Sequence, residues 1–498
     1  MGLLIFFCVL TIYLSSLNSV WAADHPNSFL ELDYAIWTHH SFILGSATNF
    51  KPESVDDFAY DGNYYSALAP GTAILALPFV GVGFMLDGHF TVFGYALLAS
   101  EVFVALANSA AATLVYLVGR FFFDKRVSAF LAFAYAFSTI SWPFATYFFQ
   151  SDVSALFCLL SVYFAIRVAR YERGRLRDSA LAGAAVAVAM VVDYIDAIFL
   201  PIILLYIMFV LREKEEPLAK PAFGFLSTAM LGIASIALYN YANFGSVFRS
   251  SEQLYLHAPN ILAEFSYPLY LGVYLNLFSP YRGLFVYSIF LMLGVFGFYY
   301  MIRKSPYRRE ALLFLACFLG IFIPYSMWFD PTGGESFGPR FLVAAIPFLL
   351  LPAGIIIQRG DKKRWVVALH LYLIGVVINS VAGLTSALTP TFNSATWTFI
   401  SWTLPLFLRG GGDTWWLRYV GGDWEVPSLI LIAAAMAIPI VSSYILKREG
   451  TGAHTERSPL HTSQFRTFLR RVRFALLRPD EARHCDAHRE RRSRRELT

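Results

Sequence analysis

Apolar residues in this chain come in long unbroken runs, and that feature constrains its fold more than any other. An α-helix needs about 20 mostly apolar residues to cross a hydrocarbon core about 30 Å thick. Runs that meet or approach this length lie at about 3–22, 92–118, 128–146, 150–168, 179–192, 196–211, 222–242, 283–302, 310–327, 341–357, 365–385 and 427–446. In lipid every backbone polar group must find its partner within the protein, so such runs become helices. Only 15% of the 498 residues are charged, against roughly a quarter in a soluble domain. Mean hydropathy is +0.55. Disorder, collagen-like structure and a disulfide-stapled secreted scaffold are thereby excluded. The expected class is an all-α polytopic membrane protein.

Lys and Arg in the short loops set its orientation. Basic clusters occur at Arg120/Lys125/Arg126, at Arg167 to Arg177, at Arg212/Lys214/Lys220, at Arg303/Lys304/Arg308/Arg309 and at Arg359/Lys362/Lys363/Arg364. They follow every second run if a thirteenth apolar stretch, 68–86, does not cross. That stretch contains Pro70, Gly71, Pro78, Gly81 and Gly83. It is therefore expected to be a broken membrane-surface or re-entrant segment. The result is about twelve transmembrane helices, in the plasma membrane if the cell is prokaryotic, with N- and C-termini cytoplasmic and the first span retained; the alternative for that run is a signal peptide, since Val20-Trp21-Ala22 resembles a cleavage site. Residues 1–446 form the membrane-embedded domain and 447–498 a basic, disordered cytoplasmic tail. The tail holds +7 of net charge in a chain whose total is +5, so the first 446 residues carry −2. Such a tail associates with anionic headgroups, and no fold signature for nucleic acid accompanies it.

On this topology the outer side carries 23–91, about 243–281 and about 386–426, joined by 328–339. The first outer segment holds Asp24, Glu31, Asp33, Glu53, Asp56, Asp57 and Asp61 between Ala22 and Ala67, against the single Lys51. Apolar residues at helical spacing over 28–38 predict a helix lying on the membrane, with Glu31 and Asp33 on its polar side. Carboxylates gathered at a membrane surface suit a general base acting on a hydroxyl; the plainer alternative is a solvated acidic loop. Tyr64 and Tyr65 can stack on a sugar or anchor at the interface. Arg282 and Arg340 lie at outer span ends, against the usual charge bias. A guanidinium suits a phosphate, which it grips with two parallel hydrogen bonds; snorkelling to headgroups is the alternative. Asp193-Tyr-Ile-Asp196 interrupts a pair of apolar runs, as spans that end in a polar cavity do. Phosphate-loop, zinc-finger and dinucleotide motifs are absent.

Six stretches occur in an order that resembles a known family. They are the acidic first outer loop, Asp61-Gly-Asn-Tyr-Tyr-Ser-Ala-Leu-Ala-Pro-Gly-Thr, Ser141-Trp-Pro-Phe-Ala-Thr-Tyr-Phe, Leu238-Tyr-Asn-Tyr-Ala-Asn-Phe-Gly-Ser, Leu277-Phe-Ser-Pro-Tyr-Arg-Gly-Leu-Phe and Phe337-Gly-Pro-Arg-Phe-Leu. Over residues 1–446 the chain resembles the polyprenyl-phosphate-sugar-dependent integral-membrane glycosyltransferases (GT-C fold, glycosyltransferase family 39, protein-mannosyltransferase-like).

The resemblance implies an inverting transfer of a sugar at the outer face. The donor would be a polyprenyl- or dolichyl-phosphate sugar, and the acceptor a hydroxyl on a glycan, lipid or protein. A carboxylate of the first outer loop would take the acceptor's proton, and basic groups or a bound divalent cation would stabilise the departing phosphate. Asp33 is the first choice for the base, with Asp24, Glu31 and Asp57 as rivals. Arg340 and Arg282 would meet the lipid phosphate, and Tyr64 and Tyr65 the sugar. No metal ligands are assigned. The family's Asp-Glu pair is missing, and Leu68 stands where many relatives carry a Lys. The alternative is a twelve-span transporter or flippase that uses Glu101, Asp193 and Asp196 as coupling groups.

Overall fold

The computed structural model describes residues 1–18, 24–87, 94–359, 362–412, 414–415 and 425–451. The chain divides into Met1–Tyr444 and Ile445–Thr498. The basic tail lies almost wholly outside the described residues.

The first unit is a helical bundle with a small sheet at one end. It opens with α1 (Gly2–Leu14) and α2 (Asp24–His39), then β1 (Gly45–Ser46), β2 (Asp57–Tyr60) and β3 (Asn63–Ser66). Next come α3 (Gly71–Asp87), α4 (Gly94–Gly119), α5 (Lys125–Phe137), α6 (Ser141–Phe144), α7 (Gln150–Arg170), α8 (Arg175–Val192), α9 (Phe199–Glu213) and α10 (Ala219–Phe244). The remainder is α11 (Ser251–Tyr255), α12 (Leu269–Leu277), α13 (Leu284–Tyr287), α14 (Met292–Lys304), α15 (Arg308–Met327), α16 (Ile346–Leu350), α17 (Ala353–Gln358), α18 (Lys362–Leu384), α19 (Leu404–Leu408) and, as far as Tyr444, α20 (Glu425–Thr451). α4 is the hub and packs on α1, α3, α5 and α7.

Seven helical stretches among the described residues are long and apolar enough to span a membrane: 94–119, 150–170, 194–213, 219–244, 308–327, 340–358 and 362–384. Each matches one of the twelve expected spans. The other five runs fall on different elements. Run 3–22 becomes the 13-residue α1. Run 128–146 is divided between α5 and α6, and run 283–302 is interrupted near Ser288 between α13 and α14. Run 179–192 is the body of α8, whose first turn carries Arg175, Arg177 and Asp178. Run 427–446 lies within α20, whose apolar part is Val426–Ser442. Three of the basic loops meet through ion pairs: Arg170 with Glu310, Arg175 with Glu216, and Arg309 with Glu213.

Two features of the first outer segment differ from the sequence expectation. Within the stretch 68–86, residues from Gly71 on form a continuous helix, α3, that runs through Pro78. Its glycines act as contact points: a Cβ on Gly81 would lie 2.5 Å from the Trp37 ring, and one on Gly71 would lie 2.4 Å from the Val191 carbonyl oxygen. They let neighbouring elements close on α3, and do not break it. α2 is helical as the spacing predicts, but it is not a surface helix. Pro26 to Asp33 are all buried, because α2 packs along α3 and against β3. Phe29, Leu30, Leu32 and Ala35 join Ala73, Ala76, Val80 and Phe84 of α3 in one core. Full burial of such a side chain contributes about 1.5–3 kcal/mol, which fixes the segment that carries the acidic residues.

Candidate active site

A cavity of about 450 Å³ opens between the start of α2, the approach to β2, the start of α7, α11 and the 330–340 loop. The start of α2 gives it Asp24 and His25, and the approach to β2 gives Val55 and Asp56. Phe149 and Gln150 come from the start of α7, and Asp193 from the break after α8. Glu252 and Tyr255 of α11 and the loop from Asp330 to Arg340 complete the wall. The α6–α7 turn is held from beneath by a buried cluster. Ser141 donates to Asp152 at 3.1 Å, and Asn108 donates to the Ser141 carbonyl at 3.0 Å.

Asp24 is an exposed wall residue, fixed where its Oδ1 accepts the Val55 N–H at 3.3 Å and its carbonyl accepts the Ser54 hydroxyl at 2.7 Å. His25 Nδ1 and Asp56 Oδ2 lie 2.5 Å apart. Burial would raise the Asp56 carboxyl, but the adjacent His25 ring, with Arg340, holds it below its usual range. Burial, and then Arg340, push the His25 imidazole below its usual value against the pull of Asp56. Arg340 lies between two rings, 5.1 Å from the centre of Phe149 and 5.0 Å from that of Phe341. Its Nε is buried without a hydrogen-bond partner, and Asp56 and Asp24 act on its charge.

The far wall is acidic as well. Asp193 accepts the Tyr325 hydroxyl at 2.6 Å, and Tyr325 stacks flat on Phe341 with centroids 4.6 Å apart. Burial, and then Glu264, Asp193 and Asp56, drive Glu252 well above the usual carboxylate range. Among the described residues no group of three or more His, Cys, Asp or Glu is arranged to hold a metal ion.

The sequence candidates therefore separate. Asp24 and Arg340 meet at the cavity. Asp33 does not reach it: the residue is 0% exposed and both its oxygens lack a partner. Its side of α2, expected to face water, is covered by the rest of the fold. Burial raises its carboxyl well above the usual range. Glu31 and Asp57 lie behind the wall. Glu31 accepts the Glu53 N–H at 3.0 Å, and Asp57 accepts the Ser28 hydroxyl at 2.6 Å. Burial, followed by the hydrogen bond and charge of Glu31, pushes Asp57 up to about 10 against the Ser28 hydroxyl.

Tyr65 is packed among Phe58, Phe244 and Tyr239, and Tyr64 is half-buried against Phe50, 5.8 Å between ring centres; neither lines the cavity. Arg282 is buried and bonded to loop carbonyls. Asp196 is buried, with Ser154 donating to it at 2.5 Å, and Glu101 accepts from the Trp415 indole at 2.9 Å. Sequence reasoning did not single out His25 or Glu252. The signal for His25 was its place beside Asp24; Glu252 had none, since an acidic residue in a loop is unremarkable until the chain folds.

Residues 78–240 match the model of a family described as dolichyl-phosphate-mannose-protein mannosyltransferases. No curated protein sequence matches the chain. Among solved structures, the chain is similar to ArnT from Cupriavidus metallidurans bound to undecaprenyl phosphate. That likeness has 15% identity and a TM-score of 0.54, and covers 92% of this chain and 81% of that one. It is also similar to an oligosaccharyltransferase from Archaeoglobus fulgidus in complex with zinc and sulfate. Identity is again 15% and the TM-score 0.53, over 78% of this chain and 54% of the other.

Proposed function

We propose that this chain, an integral-membrane glycosyltransferase of the GT-C fold, moves a sugar from a polyprenyl-phosphate donor to an acceptor hydroxyl, with inversion, at the outer membrane face. One observation carries the reading: an exposed carboxylate, Asp24, and a guanidinium between two rings, Arg340, share one cavity wall.

The acceptor's O–H would donate to Asp24, which takes the proton as its oxygen attacks the anomeric carbon. The bond from that carbon to the phosphate oxygen breaks on the opposite side, and its electron pair leaves on the phosphate. Arg340 meets the developing charge. Its rings exclude water, and a fixed charge in a drier site acts more strongly than in bulk solvent. The His25–Asp56 pair keeps an anion beside Arg340 and so holds it in place. ArnT was solved with undecaprenyl phosphate, the kind of lipid phosphate that a donor of the proposed class releases on transfer. The acceptor hydroxyl belongs to a glycan, a lipid or a protein.

The reading is tested by incubating purified protein in lipid with radiolabelled polyprenyl-phosphate hexoses and an acceptor glycan, and then determining the anomeric configuration of the product. Turnover with inverted configuration is expected. Retained configuration would overturn the direct displacement, and no turnover of any polyprenyl-phosphate sugar would overturn the donor assignment.

A further inference from the structure

We propose that Arg282 is a positioning residue that ties down the loop carrying Arg340, and that it does not touch substrate. The inference rests on the reading of Arg340 as the group that meets the donor's phosphate.

Arg282 follows Tyr281 in the turn between α12 and α13 and is 0% exposed. Its guanidinium lies 3.9 Å from the centre of the Tyr281 ring. Nη1 donates to the Ser336 carbonyl and, at 3.1 Å, to Thr389 Oγ1. Nη2 donates to the Gly334 carbonyl at 2.6 Å and to the Tyr281 hydroxyl at 2.9 Å. Thr389 itself donates to the same Ser336 carbonyl at 2.8 Å. All four terminal N–H groups are thus engaged, two of them on one loop. None of the described carboxylates hydrogen bonds to the group. A buried guanidinium whose terminal nitrogens all donate to carbonyls and hydroxyls, with a ring against its face, is committed to holding backbone.

The loop it holds needs holding. Gly333, Gly334 and Gly338 have φ of +69°, +67° and +69°, backbone that side chains rarely adopt. The turn at its start rests on Asp330, which accepts the Thr332 N–H at 3.0 Å and the Thr332 hydroxyl at 2.6 Å. The end is pinned where the Phe337 N–H meets the Ala387 carbonyl at 2.8 Å. Between those points, the grip on Gly334 and Ser336 is what Arg282 supplies. The Arg340 side chain lies against this backbone: a Cβ on Gly333 would come within 3.0 Å of Arg340 Cγ and Nε. The loop is the bed on which Arg340 rests, and a loop that lifts takes Arg340 with it. Lysine, a point charge with no planar fork, cannot bridge Gly334 and Ser336 while lying on Tyr281.

The test is hydrogen exchange of residues 330–340 in lipid nanodiscs, with undecaprenyl phosphate binding measured on the same samples. Wild type is compared with Arg282→Lys, Thr389→Val and Arg340→Lys. In Arg282→Lys the loop should exchange about tenfold faster while α4 and α7 keep wild-type rates, and affinity should fall roughly tenfold. Thr389→Val, which removes only the hydroxyl bridging Arg282 and Ser336, should speed loop exchange by a smaller factor and keeps the test open if Arg282→Lys does not fold. Arg340→Lys should lose affinity with loop exchange unchanged.

Weaker binding with wild-type loop exchange in Arg282→Lys would mean that Arg282 contacts phosphate, and would overturn the proposal. Faster exchange throughout the bundle would overturn it too. If wild type fails to bind undecaprenyl phosphate, the donor reading fails, while the exchange rates still decide the tether.

Discussion

The segment from α2 to β3 presents acidic residues to two different environments. On the cavity side, Asp24 is exposed and Asp56 is paired with His25 at 2.5 Å. On the packed side, Asp33, Glu31 and Asp57 are buried, and both oxygens of Asp33 lack a partner. Asp24 and Asp33 belong to the same helix, nine residues apart. What separates them is cover: α3 and β3 close over one part of α2 and leave its start open to the cavity. Residue type and spacing make the two alike; burial decides which can hold a charge and reach a substrate.

The sharpest way to break this contrast is paired substitution. Asp24→Asn should lower turnover by roughly 10²–10⁴-fold, the usual contribution of a positioned general base. Asp33→Asn should leave turnover within about threefold of wild type, since a buried carboxyl held neutral resembles the amide that replaces it. Initial rates of sugar release measure both.

Next in size is Arg340→Ala. It should reduce kcat/KM for the lipid donor by about 10²-fold, in the range found when one donor to a developing oxyanion is lost. Asp56→Asn should be milder, on the order of tenfold, because it removes the anion beside Arg340 but leaves the guanidinium between its rings. It should also lower the His25 pKa further, since the Asp56 carboxylate is what supports the protonated ring; proton NMR of His25 against pH would read this.

The smallest effect on turnover concerns the packed side alone. The Asp57 carboxyl is raised from an ordinary value of 3.8 to about 10 in the folded chain. The native state therefore binds more protons than the unfolded one between those values, and stability falls as pH rises through that window. Asp57→Asn should flatten the decline in melting temperature between about pH 4 and pH 10 and leave turnover near wild type. A mutant curve as steep as wild type would place the titration elsewhere.

Much of the architecture was legible in the sequence because lipid imposes a simple rule on long apolar runs. Seven runs became long helices, and the interruption at Asp193-Tyr-Ile-Asp196 does border a polar cavity. The character of α2 and α3 was harder to read. Pro78 and the α3 glycines read as breakers from local preference, whereas in the fold the glycines are places where Trp37 and Val191 close in. Arg340 is legible in the sequence as an arginine at a span end, against the usual charge bias. Arg282 shows the same sequence signal, yet it turns inward to the Gly334 and Ser336 carbonyls, a choice set by contacts more than fifty residues away. Asp33 lies on a helix, as the spacing predicts, but beneath other elements.

The most direct measurement is sugar release from a radiolabelled polyprenyl-phosphate hexose by wild type, Asp24→Asn and Asp33→Asn, purified in lipid and matched for melting temperature. The account predicts turnover by wild type and Asp33→Asn and none above background by Asp24→Asn. Turnover by Asp24→Asn with loss in Asp33→Asn would contradict it, and would place the chemistry on the packed side of α2.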